Sequence, residues 1–132
     1  MTALDTNILA RFLTDDAPGQ AERAAAILAE AERTGEPCFV SIAVVLEIVW
    51  LLDYVYKRTR AQILDALESL LLLKSLRFEH ENRIQRLTTL GRETSLDLAD
   101  ILIGLSARDN GCQFTWTFDK KAARSELFKA AE

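Results

Sequence analysis

Short apolar runs and helical patterns alternate along this chain from end to end. The first run ends abruptly at Asp5-Thr6-Asn7, and Ile8, Leu9, Phe12 and Leu13 follow at helical spacing, so a strand feeds a helix with a carboxylate at the junction. Residues 38–42 form a second β-rich run, 76–78 a weaker one and 112–117 the last clear one, with a small edge strand near Phe128. Helices are predicted over 8–14, 20–33, 43–56, 60–73, 81–92 and 96–108, then a short helical piece from Lys120. Pro18 is placed to start the second helix, Thr34-Gly35-Glu36-Pro37 to stop it, and Thr59 to cap the fourth. Strands separated by helices give an α/β fold with a mostly parallel sheet and right-handed crossovers.

A length of 132 residues suits one domain over 1–132. With 49% hydrophobic and 27% charged residues, the chain buries a core and is not disordered. Its formal net charge of −4 gives no global basic field, so a nucleic-acid partner needs a local basic patch or bound metal. Cys38 and Cys112 are too few for a disulfide scaffold, and with the lone His80 they match no zinc-ligand spacing. No basic leader precedes the first strand, and the longest uncharged run, 37–46, is too short to span a bilayer. The expectation is a soluble protein of the reducing cytoplasm, away from membranes.

Chemistry is concentrated in acids. In open α/β sheets ligands collect at the carboxyl ends of strands, where Asp5 and Asp119 are expected to stand. Either acid serves equally as a cap for the next helix. Glu47 lies in a predicted helix that is apolar on nearly every side. Such a helix is expected to be buried, and a buried Glu needs a cation or a metal; the alternative is a Glu at the helix rim, or one paired with an arginine. Asp97 fits a capping box within Thr94-Ser95-Leu96-Asp97. Asp100 falls beyond that expected first turn, with Gly104 one turn on to leave room for an approaching group.

By topology Asp5, Glu47, Asp100 and Asp119 are expected at one edge of the sheet. Carboxylates without histidine or cysteine form a hard-oxygen site for Mg²⁺ or Mn²⁺, suited to phosphoryl chemistry. Thr6, Ser41 and Thr117 are placed to orient water or neighbouring oxygens. No glycine-rich phosphate loop and no Ser-His pair is present, which disfavours P-loop and triad chemistry.

Ala3-Leu4-Asp5-Thr6-Asn7, the Ser41 to Glu47 segment, Asp97-Leu98-Ala99-Asp100-Ile101-Leu102-Ile103 and Thr117-Phe118-Asp119-Lys120 resemble the successive motifs of PIN domains. Among these the chain is most similar to the VapC toxins of type II toxin–antitoxin pairs. Each motif is weak alone; four in order over nearly the whole chain are specific. The resemblance implies a three-layer α/β/α sandwich, a Mg²⁺- or Mn²⁺-dependent endoribonuclease, a homodimer and an inhibiting antitoxin. It maps the four acidic positions to Asp5, Glu47, Asp100 and Asp119, with Asp97 an accessory acid. Trp116 departs from it, being bulky where an aliphatic residue is usual.

The reading that follows has Asp5 and Asp100 ligating the metal most directly, Asp119 completing the acidic site, and Glu47 holding or activating water. Arg11, Lys57, Lys120, Lys121 and Arg124 are the expected grip on the RNA backbone. Two rivals use the same residues differently: a non-catalytic PIN-like interaction module, and a metal-dependent phosphatase for small substrates.

Overall fold

The computed structural model describes every residue from Met1 to Glu132. Helix boundaries follow local chemistry. Asp5 caps α1 (Thr6–Leu13) and Ser41 caps α3 (Ile42–Tyr54), each accepting a backbone N–H with its side chain. Pro18 is the first residue of α2 (Pro18–Thr34), which ends at Gly35 in the left-handed conformation at φ 75°. Thr59 and Gln62 form a reciprocal capping box at the start of α4 (Arg60–Leu71). Two further helices follow, α5 (Glu81–Glu93) and α6 (Leu98–Asp109).

Strands are short: β1 (Cys38–Val40), β2 (Leu76–Phe78), β3 (Thr115–Thr117) and β4 (Phe128–Ala130). All pairing is parallel, β1 with β2 and β3 with β4, as the alternating pattern predicts. The opening strand is reduced to one parallel bridge between Ala3 and Phe39. Backbone bonds from Leu4 N to Phe39 O (3.0 Å) and from Phe39 N to Thr2 O (2.7 Å) flank it. Asp5 leaves this short extended segment directly into α1.

The chain forms two compact units, Met1–Glu81 and Asn82–Glu132. In the first, α1 packs on α2 and α3, and α3 on α4. Its core includes Leu9, Ala10, Leu28, Val45, Ile48, Val49, Leu52 and Leu67. In the second, Ile84, Leu87, Ile101, Leu102 and Leu105 are buried, with Leu127 and Phe128. Arg83, only 7% exposed, is neutralised there by Asp109 at 2.8 Å, which also pairs with Arg86. No helix is long and apolar enough to cross a membrane.

Three expectations fail. Helix α3 is not buried all round: Val45, Ile48, Val49 and Leu52 face the core, while Leu46, Trp50 and Tyr54 are exposed. Helix α6 starts two residues later than expected, because Thr94 bonds back to Leu90 O at the end of α5 and leaves Asp97 as the cap. Gly104 holds no vacant space. A Cβ there meets Leu127 Cβ at 2.8 Å and Phe128 at 3.1 Å, so its lack of a side chain admits this chain's own residues.

Candidate active site

In the Met1–Glu81 unit, the N-terminus of α1 supplies Asp5 and Thr6. Asp5 Oδ1 accepts from Ile8 N at 3.1 Å, so its capping role is real and involves one oxygen. Thr6 Oγ1 donates to Glu47 Oε1 at 3.1 Å. Glu47 is exposed rather than buried, since it shares the uncovered side of α3 with Leu46 and Trp50. No cation pairs with it. Ser41 Oγ accepts from Val44 N at 3.2 Å. Glu79 Oε1 accepts from Ile42 N at 2.8 Å, across 37 positions of sequence. Glu79 thus helps fix the N-terminus of α3, a role no local pattern reveals.

In the Asn82–Glu132 unit three acids come together electrostatically. Asp97 Oδ1 accepts from Asp100 N at 3.0 Å. Asp100 therefore lies in the first turn of α6, where the helix dipole favours an acid, and not beyond it as expected. Even so, burial first, then the charges of Asp97 and Asp119, push its carboxyl above the ordinary carboxylate value. Asp119 Oδ1 accepts from Lys121 N at 2.8 Å and Ala122 N at 3.1 Å, in the turn that leads into a 3₁₀ helix at Ala122–Arg124. Thr117 Oγ1 accepts from Asp119 N at 3.0 Å and holds that turn.

The basic residues fare differently. Arg11 donates to Gln20 at 2.7 Å, to Asp16 at 3.3 Å and to Tyr56 at 2.8 Å. The Tyr56 hydroxyl, foremost, then Thr14 and Arg11 hold Asp16 below the usual carboxylate range. Arg11 therefore orders its own unit. Lys57 is exposed at φ 54°. Lys120, Lys121 and Arg124 are exposed and form no ion pair. A cavity of about 600 Å³ within the second unit is lined in part by Leu96, Ile101, Leu105, Arg108, Lys121 and Arg124. It went unread in the sequence because its lining comes from separated segments.

The donors fit a divalent cation in kind. They are carboxylate oxygens throughout, the class preferred by Mg²⁺ and Mn²⁺, while Cys38 is buried and His80 lies outside the motifs. No three His, Cys, Asp or Glu side chains stand as a finished metal site. Asp5, Asp97 and Asp119 each have one oxygen engaged by backbone N–H groups. The Asp100 carboxylate accepts no hydrogen bond from the protein, and repulsion from its neighbours is what a divalent charge relieves.

No curated protein matches the chain. The PIN domain family model matches it over residues 2–126. PIN domains are generally metal-dependent nucleases that bind nucleic acid. With nearly its whole length matched, α/β in class and parallel in its strand pairing, the chain belongs to the PIN domain family.

Proposed function

We propose that the chain is a Mg²⁺- or Mn²⁺-dependent endoribonuclease, one nuclease domain over 1–132, acting as the toxin of a VapBC-type pair. A small antitoxin protein, a homodimer and a cytoplasmic setting come with the VapC likeness. The observation that carries the reading is that Asp5, Glu47, Asp97, Asp100 and Asp119 enter no ion pair, whereas Glu30, Asp16 and Asp109 do. Acids left uncompensated at the motif positions suit a cation-dependent task better than a structural one.

Asp5, Asp100 and Asp119 are the proposed ligands, Asp119 directly or through water. When bound, the cation supplies charge neutralisation at the scissile phosphate and a more acidic water. Glu47 is the proposed base. Thr6 fixes Oε1, and Oε2 is left to hold the attacking water and take its proton. Asp97 and Thr117 support Asp100 and Asp119 through backbone bonds, and Ser41 sets the start of the Glu47 helix. Lys57, Lys120, Lys121 and Arg124 are the proposed contacts to phosphates.

The test is a closed circular RNA offered beside a phosphomonoester, both with Mn²⁺. An endoribonuclease linearises the circle and leaves the monoester. Hydrolysis of the monoester alone identifies a phosphatase, and hydrolysis of neither identifies a binding module.

A further inference from the structure

Phe114, Trp116 and Phe118 fall at alternate positions through β3 and its end, the spacing that shares one face of a strand. They do not build a core. Trp116 is 61% exposed and Phe118 77%. The rings of Phe114 and Trp116 meet edge to face, centroids 4.9 Å apart and planes at 90°, which fixes the indole's orientation. Lys129, on the paired strand β4, places Nζ 5.1 Å from the Phe114 centroid and 5.6 Å from that of Trp116. Phe118 leads directly into Asp119, Lys120 and Lys121, and neither these lysines, Arg124 nor Lys129 forms an ion pair.

Open rings among unneutralised cations, in a chain of net charge −4, select their occupant. A second copy docked face to face in the symmetric way sets Lys129 and its neighbours against themselves. A polyanion that carries π-faces satisfies rings and cations at once. We propose that Trp116 and Phe118 form a stacking platform for unpaired bases of single-stranded RNA beside Asp119, with Lys129 and Lys120 at its phosphates. The platform rests on the nuclease reading and narrows its substrate. Paired bases are already stacked within a helix, so only unpaired RNA offers faces to these rings.

The test is binding without cleavage. Fluorescence anisotropy of the full chain in chelator is followed with a short labelled single-stranded RNA and with its duplex. The wild type binds the single strand more tightly. Trp116→Ala and Phe118→Ala each weaken it about tenfold, within what base stacking on an aromatic ring supplies, and leave duplex binding unchanged. Trp116→Phe restores most of the affinity by restoring a π-face. Both rings are exposed, so circular dichroism of the variants matches the wild type. If single-strand affinity is unchanged in both alanine variants while the wild type cuts RNA, the platform is wrong and the nuclease reading stands. If the rings hold single strands but no RNA is cut with metal, the platform stands and the nuclease reading falls. A loss of dimer in Trp116→Ala with unchanged RNA affinity makes the face a self-association surface and overturns the proposal.

Discussion

Thr6 Oγ1 donates a 3.1 Å hydrogen bond to Glu47 Oε1, joining the first residue of α1 to the second turn of α3 across 41 positions of sequence. The bond fixes one oxygen of an exposed carboxylate that has no other protein partner. Thr6→Val keeps the shape and removes the donor. Because the bond is exposed, stability changes by no more than about 1 kcal/mol. RNA cleavage falls about tenfold, the scale of one positioning hydrogen bond, and Thr6→Ser recovers it. Melting curves and cleavage rates on the same samples check both halves.

Glu47→Gln separates charge from shape at the same position. Glu47 is exposed and unpaired, so no cation is stranded and the fold survives. Loss of the proposed base lowers cleavage by roughly 10²–10⁴. A stable, fully active variant removes Glu47 from the mechanism.

Two acids of the second unit respond to pH with opposite signs. Asp100 is raised by burial and by Asp97 and Asp119, so the folded chain keeps a proton that the unfolded chain has released. Stability is therefore lost as pH rises from the ordinary carboxylate pKa through the raised folded value. In chelator, Asp100→Asn melts higher than wild type at neutral pH, and the gap closes in acid. A lower melting temperature for this variant marks Asp100 as a structural hydrogen-bond partner instead.

Asp109 is lowered by its hydrogen bonds from Arg86 and Arg83. Its contribution is present above the unfolded carboxylate pKa and lost as pH falls through the depressed folded value. Asp109→Asn removes the charge facing buried Arg83 and costs roughly 1.5–3 kcal/mol at neutral pH, with the difference shrinking in acid. Denaturant unfolding across pH measures both signs.

Much of this arrangement is legible in the sequence because local chemistry sets it. Pro18, Gly35 and Thr59 mark helix ends by φ, by left-handed tolerance and by capping. All three lie in the first unit, and in the second Asp97 caps α6 in the same way. Most of what fails depends on contacts between distant residues. Apolar residues around the whole of α3 cannot show which face meets α1 and α4, so Glu47 reads as buried when it is exposed. Asp97 and Thr94 are equally good caps by type, and only the bond of Thr94 to Leu90 O decides between them. Glu79 reaches α3 from the end of β2, with no pattern to announce it. The acids themselves are legible by position, while the strain on Asp100 needs the proximity of Asp97 and Asp119.

Gly104→Ala tests the packing on α6. The added Cβ lies 2.8 Å from Leu127 Cβ and 3.1 Å from Leu127 Cδ1. A Cβ is attached to backbone, so relief requires the Leu127 segment to shift. The helix-propensity gain of alanine, about 1 kcal/mol, offsets part of an overpacking cost of roughly 1–3 kcal/mol. The variant is expected to melt lower than wild type; one that melts higher shows that the Leu127 segment yields freely.

The motif acids are proposed to make this PIN domain a metal-dependent ribonuclease. The most direct test is the rate of internal cleavage of one end-labelled RNA against Mn²⁺ concentration, for wild type, Asp5→Asn and Asp100→Asn. Wild type is expected to give internal fragments at a rate that rises to saturation with Mn²⁺ and no cleavage in chelator, and either variant none at any Mn²⁺ concentration. Cleavage that persists in chelator, or variants that match wild type at saturating Mn²⁺, overturns a metal-dependent role for these acids.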